Sequence, residues 1–343
     1  MKKIKLISHL LLVALFISSS VWAGGGSRNG TAGAAQLLVP VGARGISMAG
    51  ATLVGATGVE ALYWNPANLS RGGSSTNVMF SHMNYIADIN VEYGAVSTNI
   101  EGFGALAFSI KTLDVGEIPV TTVQSPDGTG QMFSPQFMTF GLTYSKMLSD
   151  RIAVGVTANL VTEKIELVSA TGLAFNIGIS YKNLGNVDGL SFALVIKNLG
   201  PQMEYAGSGL NQRANAIDLA RPTQYYQLDA AAFELPSTLE LGLGYNLNFN
   251  QTNTLSLAGV FQNSNFYGDE YKFGAEYSYN NTFFVRGGYT MMPELETDNN
   301  VFGVSAGFGL NYNLGGAALK FDYAFREAKF FDSNHVFTVT LGL

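Results

Sequence analysis

The chain has 343 residues, 47% of them hydrophobic and only 13% charged, with a formal net charge of −6 and no cysteine. The acidic balance argues against nucleic acid as a partner, and without cysteine neither a disulfide framework nor a lipid-modified cysteine anchor can form. Past Ala23 no run reaches the ~18 consecutive apolar residues of a spanning helix, so a chain this apolar can cross a bilayer only as a closed barrel, because lipid leaves an open sheet edge unsatisfied.

At the start, Lys2, Lys3 and Lys5 precede a short apolar stretch from Leu6 to Ile17, and Val21-Trp22-Ala23 ends on a small residue before Gly24. This pattern predicts a secretory signal over 1–23, removed after Ala23. Residues 24–74 are rich in Gly, Ala and Ser with weak alternation. The remainder, 75–343, is expected to be the barrel.

From Ser75 onward, two-residue alternation marks fourteen strands. They are predicted at 75–85, 89–98, 102–112, 136–147, 151–162, 169–182, 189–198, 236–247, 252–263, 269–280, 282–291, 301–313, 317–326 and 334–343. In the last, Phe337, Val339, Leu341 and Leu343 share one face, opposite Thr338, Thr340 and Gly342. The same pattern puts Leu173 to Tyr181 and Phe302 to Tyr312 in strands with a large apolar face and a small or polar one, as lipid outside and a wet or filled lumen inside require. Such uniformly large outward faces weigh against a soluble β-sandwich. Even-numbered strands end in tight turns, such as Asn99-Ile100-Glu101 and Leu148-Ser149-Asp150. Odd-numbered strands tend to end in longer segments, the longest being Leu113 to Pro135 and Leu199 to Leu235. Short turns on one rim and long loops on the other are the habit of outer-membrane barrels. The fold class is therefore an all-β, fourteen-stranded antiparallel transmembrane barrel, located in the bacterial outer membrane and in contact with its lipid.

Charges interrupt the strands at inward parity: Glu240, Lys272, Glu276, Arg286, Lys320, Asp322 and Arg326. On the lipid face they would cost ~2–4 kcal/mol each near the midplane. Facing inward they are expected to form a luminal charge network, with a substrate path as the alternative role.

The segment before the barrel reads Gly42-Ala43-Arg44-Gly45-Ile46-Ser47-Met48, then Glu60-Ala61-Leu62-Tyr63-Trp64-Asn65-Pro66-Ala67. With Lys197-Asn198-Leu199-Gly200-Pro201 and Leu235-Pro236-Ser237-Thr238, it resembles the PorV/PorQ family of outer-membrane proteins, itself related to FadL-type fatty-acid transporters. The resemblance implies a barrel whose lumen is plugged by residues 24–74 and which serves the type IX secretion system. Its partners would be the translocon, the C-terminal domains of exported cargo or the attachment complex. Asn65 and Pro66 form a turn dipeptide, with Asn65 able to cap its own turn, and Tyr63 and Trp64 are expected to anchor the plug to the wall. For partner binding, the segment Leu199 to Leu235 offers Tyr205, Arg213, Arg221, Tyr225 and Tyr226, residue types enriched at interaction hot spots.

Enzyme motifs do not survive. Gly303-Val304-Ser305-Ala306-Gly307 matches a nucleophile elbow but lies mid-strand. Asp332, Ser333 and His335 sit on one short segment, unlike a triad. His9, His82 and His335 are too scattered for a metal cluster, and there is no phosphate loop. No cofactor, no metal and no catalysis are expected. Two functions remain open: a secretion-system protein that shuttles or scaffolds exported cargo, and a FadL-like transporter of small hydrophobic molecules.

Overall fold

A computed structural model describes residues 30–214, 224–293 and 300–343, and the expected signal segment lies outside these residues. Within them fourteen antiparallel strands form one closed barrel. The strands are β1 (Thr76–Asn84), β2 (Asn90–Ile100), β3 (Gly104–Asp114), β4 (Gln136–Met147), β5 (Ile152–Ile165), β6 (Val168–Lys182) and β7 (Leu190–Leu199). They continue with β8 (Thr238–Asn248), β9 (Asn253–Ser264), β10 (Glu270–Tyr279), β11 (Phe283–Met291), β12 (Phe302–Asn313), β13 (Ala318–Ala328) and β14 (Asn334–Gly342). Each pairs with its neighbours in sequence, and β14 pairs with β1 from Gly342↔Asn77 to His335↔Asn84. Leu343 N donates to Thr76 O at 2.8 Å and extends this seam to the end of the chain.

Alternation fixes which way each side chain points. Leu142, Val285 and Phe308 are 62%, 64% and 51% exposed on the outer face, so nothing in the chain covers them and lipid must. Their inward neighbours Thr143, Arg286 and Gly307 are buried or half-buried.

One rim carries tight turns. Asn280 and Asn281, with φ of +53° and +50°, both take the left-handed region of a type I′ turn, which the Thr282 amide closes onto Tyr279 O at 3.0 Å. The other rim carries the long connections 115–135 and 200–237, each bearing a two-stranded ribbon: Ile118–Pro119 with Met132–Phe133, and Asn211–Ala214 with Gln224–Gln227. β5 and β6 depart from this division. They join on the long-loop rim through Glu166 and Leu167 alone, because both strands run on as a tall hairpin of 14 and 15 residues.

A second departure lies in β12. Its register with β13 shifts between Phe302 and Ser305. The extra residue reverses parity, so Phe302, expected on the lipid face, instead turns inward.

Inside the ring, the segment before β1 folds into short turns: 3-10 helices at Ala35–Leu38, Gly58–Ala61 and Pro66–Arg71, and a single helix α1 (Ala43–Ser47). Helix α1 rests on the inner faces of β11 to β14, and the Pro66–Arg71 turn on those of β3 to β6. Ile46, Leu53, Val59 and Leu69 share one apolar core with inward wall residues such as Met83, Val91, Val195 and Val336. Two glycines show how closely backbone meets wall. A Cβ on Gly155 would stand 2.4 Å from the Pro66 carbonyl carbon, and one on Gly288 would stand 2.4 Å from that of Met48.

Candidate functional site

The inner segment is tied to the wall by named polar contacts. Gly42, at φ +85°, leads into α1, and the Ala43 amide donates to Thr338 Oγ1 at 2.9 Å. Gly45 leaves room for the Trp64 indole, since a Cβ there would meet it at 2.2 Å. Asn65 caps its own turn: the Ala67 amide donates to Asn65 Oδ1 at 3.0 Å, while Asn65 Nδ2 donates to Leu53 O at 2.9 Å. Pro66 opens this turn, where its missing N–H costs nothing. The Ala67 carbonyl accepts from Ser145 Oγ at 2.7 Å on β4.

Arg44 is the centre of a charge cluster near the short-turn rim. Its guanidinium grips Glu276 with two bonds, Nε to Oε2 and Nη2 to Oε1, both 2.9 Å. Such a fork is the strong geometry for an arginine–carboxylate pair. Nη1 donates to Glu60 Oε2 at 3.0 Å, and Lys320 Nζ reaches Glu60 Oε1 at 3.2 Å. Arg286 bridges Glu276 and Asp322, at 2.5 Å to each. Three cations thus meet three carboxylates, two of the six from the inner segment and four from β10, β11 and β13. Burial alone would push the Glu60 carboxyl up, but Lys320 and Arg44 outweigh it and hold the group at about 2. Burial works against the Arg44 charge, and Glu276 and Glu60 overcome it and raise its pKa. Between these groups lies a cavity of about 60 Å³, lined by Arg44, Glu60, Phe284, Arg286, Lys320 and Asp322.

The other predicted luminal charges face inward but do not join this cluster, so the single expected network is divided. Glu240 pairs with Lys197 at 3.0 Å, and Lys272 with Glu270 at 2.8 Å. Arg326 donates to Asn334 Oδ1 at 2.9 and 2.7 Å and lies 3.8 Å from the Phe302 ring that the bulge turns inward. Glu60, Glu270, Lys111 and Lys197 are absent from the sequence-derived set. The three on strands, Glu270, Lys111 and Lys197, have the same inward parity as the predicted charges, which is the signal that could have found them. Lys111 Nζ donates to the Val39 carbonyl at 3.0 Å. The Tyr63 ring sits 5.0 Å from Lys111 Nζ and 4.9 Å from Lys197 Nζ, packs edge-on to Trp64 at 5.0 Å, and its hydroxyl donates to Leu38 O at 3.0 Å.

The predicted partner loop also divides. Tyr205 is not on an exposed rim. Its hydroxyl bonds Glu163 of β5, and its ring lies 5.5 Å from Phe233. Both ends of the loop fold down into the barrel mouth, where Met203 and Leu235 are 1% and 2% exposed and form a second apolar core with Leu37 and Val161. Only the ribbon projects, carrying Arg213, Tyr225 and Tyr226 into solvent. Arg221 lies outside the described residues.

No family model matches this chain, and no curated protein does. Among solved structures it is similar to CymD, a monoaromatic hydrocarbon channel, with a TM-score of 0.56 and 12% identity over 89% of this chain and 97% of that one. It is also similar to a deletion mutant of the monoaromatic hydrocarbon channel TodX, with a TM-score of 0.52 and 13% identity over 88% and 97% of the two chains. The toluene transporter TbuX of Ralstonia pickettii gives a TM-score of 0.51 and 15% identity over 88% and 98%. At such identities the likeness is one of fold. The names these structures carry are those of channels and transporters rather than enzymes. The chain is an integral outer-membrane protein with the fourteen-stranded barrel of the hydrocarbon channels.

Proposed function

We propose that this protein passes small hydrophobic molecules across the outer membrane and that the segment inside its barrel is the gate. The observation that carries this reading is a hydrocarbon-channel fold along almost the whole chain, with a lumen that its own N-terminal segment fills. Three cavities between segment and wall, about 60, 30 and 10 Å³, suit water molecules. A benzene-sized solute needs roughly 150 Å³. Passage therefore requires the segment to move.

A disulfide can test this, since the chain has no cysteine of its own. A Cβ on Gly242 of β8 would stand 3.0 Å from that of Leu53, a few tenths of an ångström inside the usual disulfide range of about 3.5–4.5 Å. The double variant Leu53→Cys, Gly242→Cys is expected to take up labelled toluene into proteoliposomes only when reduced, with at least a ~10-fold loss on oxidation. Equal uptake in both states would sink the moving-gate reading.

The ribbon favours a second reading, protein docking at the cell surface. Residues 211–213 and 224–227 of its strands are exposed, and Tyr225 is 64% exposed. Replacing 211–227 by a short Gly-Ser linker is expected to leave toluene uptake intact and to abolish any co-purification of exported proteins from native outer membranes. Unchanged co-purification would remove the ribbon from that role.

A further inference from the structure

Tyr63 occupies an unusual place. Two ammonium groups, from strands four apart in the barrel, flank a single ring at 5.0 and 4.9 Å. Both lysines are nine-tenths buried or more, at 5% and 6% exposure. Lys197 has a counter-ion in Glu240 at 3.0 Å. Among the described residues Lys111 has no carboxylate within ion-pair distance, only the Val39 carbonyl and the Tyr63 ring. Two lysines thus share one glutamate, and Lys111 is left with no counter-ion for its ammonium among the described residues.

Such a charge is a poor way to stabilise a barrel, because desolvating an ammonium costs more than one neutral acceptor and one ring return. A ligand with both a ring and a negative charge would satisfy the site fully. The ring would take up the cation–π contact, and an oxyanion would supply the counter-charge that Lys111 lacks. In the closed barrel Tyr63 provides the first of these and not the second, since its hydroxyl, which donates to Leu38 O at 3.0 Å, carries no negative charge.

We propose that Lys111 and Lys197 form a binding site for a small aromatic carboxylate, and that Tyr63 holds the place of the ligand's ring while the barrel is closed. This inference rests on the transport reading and narrows it. The preferred solute carries an acid group on its ring, unlike the neutral hydrocarbons named for the structural neighbours. Binding and displacement of Tyr63 are then one event, because ring and ligand compete for the same two ammoniums. Trp64, edge-on to Tyr63, is placed to report it.

The test uses the full mature protein in a zwitterionic detergent and follows Trp64 fluorescence with benzoate, toluene and benzylamine as probes. Benzoate is expected to give a saturable change, toluene one at least ~10-fold weaker, and benzylamine none. Lys111→Met should weaken benzoate at least ~10-fold and toluene, which loses only a cation–π contact, far less. It removes a buried unpaired cation, so it should leave the barrel's heat-modifiable gel mobility unchanged. Tyr63→Ala, which removes the competitor, should tighten benzoate several-fold. Equal responses to benzoate and toluene, or benzoate binding unaffected by both substitutions, would overturn the proposal. Vesicle uptake separates it from the reading beneath it. Lys111-dependent benzoate binding without uptake of any probe supports the site and defeats the channel. Toluene uptake without benzoate binding defeats the site and leaves the channel.

Discussion

Glu60 shows how much one residue of an aperiodic segment can matter. Its carboxylate is shared between Arg44 and Lys320, so it joins the helix that fills the lumen to the wall that surrounds it. Its pKa is lowered from 4.5 to about 2, and a depressed carboxyl stabilises the folded state above its unfolded value and loses that contribution as pH falls through its folded one. The seating of the inner segment is therefore expected to be insensitive to pH above about 4.5 and to weaken from there down to about 2. Trp64 is the only tryptophan besides Trp22 of the expected signal, so its emission in an acid titration is the measurement. Glu60→Gln should shift that emission to the red already at pH 7, since opening a buried ion pair by removing one partner costs about 3–5 kcal/mol. Identical emission in variant and wild type at pH 7 would show that the pair does not hold the segment. Parity makes charges such as Glu276, Arg286 and Asp322 legible in the sequence as inward-facing. Their partners are not legible, because Arg44 and Glu60 come from turns with no period to read, and which wall strand they meet depends on the path of the whole segment.

At the scale of elements, the strands follow from alternation almost to their ends. β4 occupies its predicted 136–147, and most other boundaries differ by one or two residues. Two features escape for physical reasons. A bulge adds one residue that no pattern announces, which is why Phe302 faces Arg326 rather than lipid. A long loop can fold back as readily as project, which is why Tyr205 lies in the mouth of the barrel. Glycine content hints at small inward positions, but only the structure shows which of them bear the inner segment. Gly288→Val is expected to unseat that segment, since its Cβ would overlap the Met48 and Ala49 backbone at 2.4 and 2.6 Å. Gly287→Val is the matched control. It faces outward, and its nearest neighbour would be a carbonyl oxygen 3.9 Å away. In planar bilayers Gly288→Val should raise single-channel conductance several-fold while Gly287→Val behaves as wild type. Equal conductance for the two would mean that the glycine seat is dispensable.

For the molecule as a whole, the seam between β1 and β14 sets a schedule. Among the residues it joins are Ser81 and Thr338, 257 positions apart, whose hydroxyls bond at 2.9 Å. Thr338 also receives the Ala43 amide, so the last strand touches the wall's first strand and the filling at one point. Closing so long a loop is entropically the least favourable pairing in the sheet, and it becomes accessible once the intervening hairpins have shortened the effective separation. The first part of the chain to be made is thus the part enclosed last. Thr338 completes its hydrogen bonds only when the seam is zipped and the N-terminal segment is seated, which makes this one threonine the point where closure and filling meet.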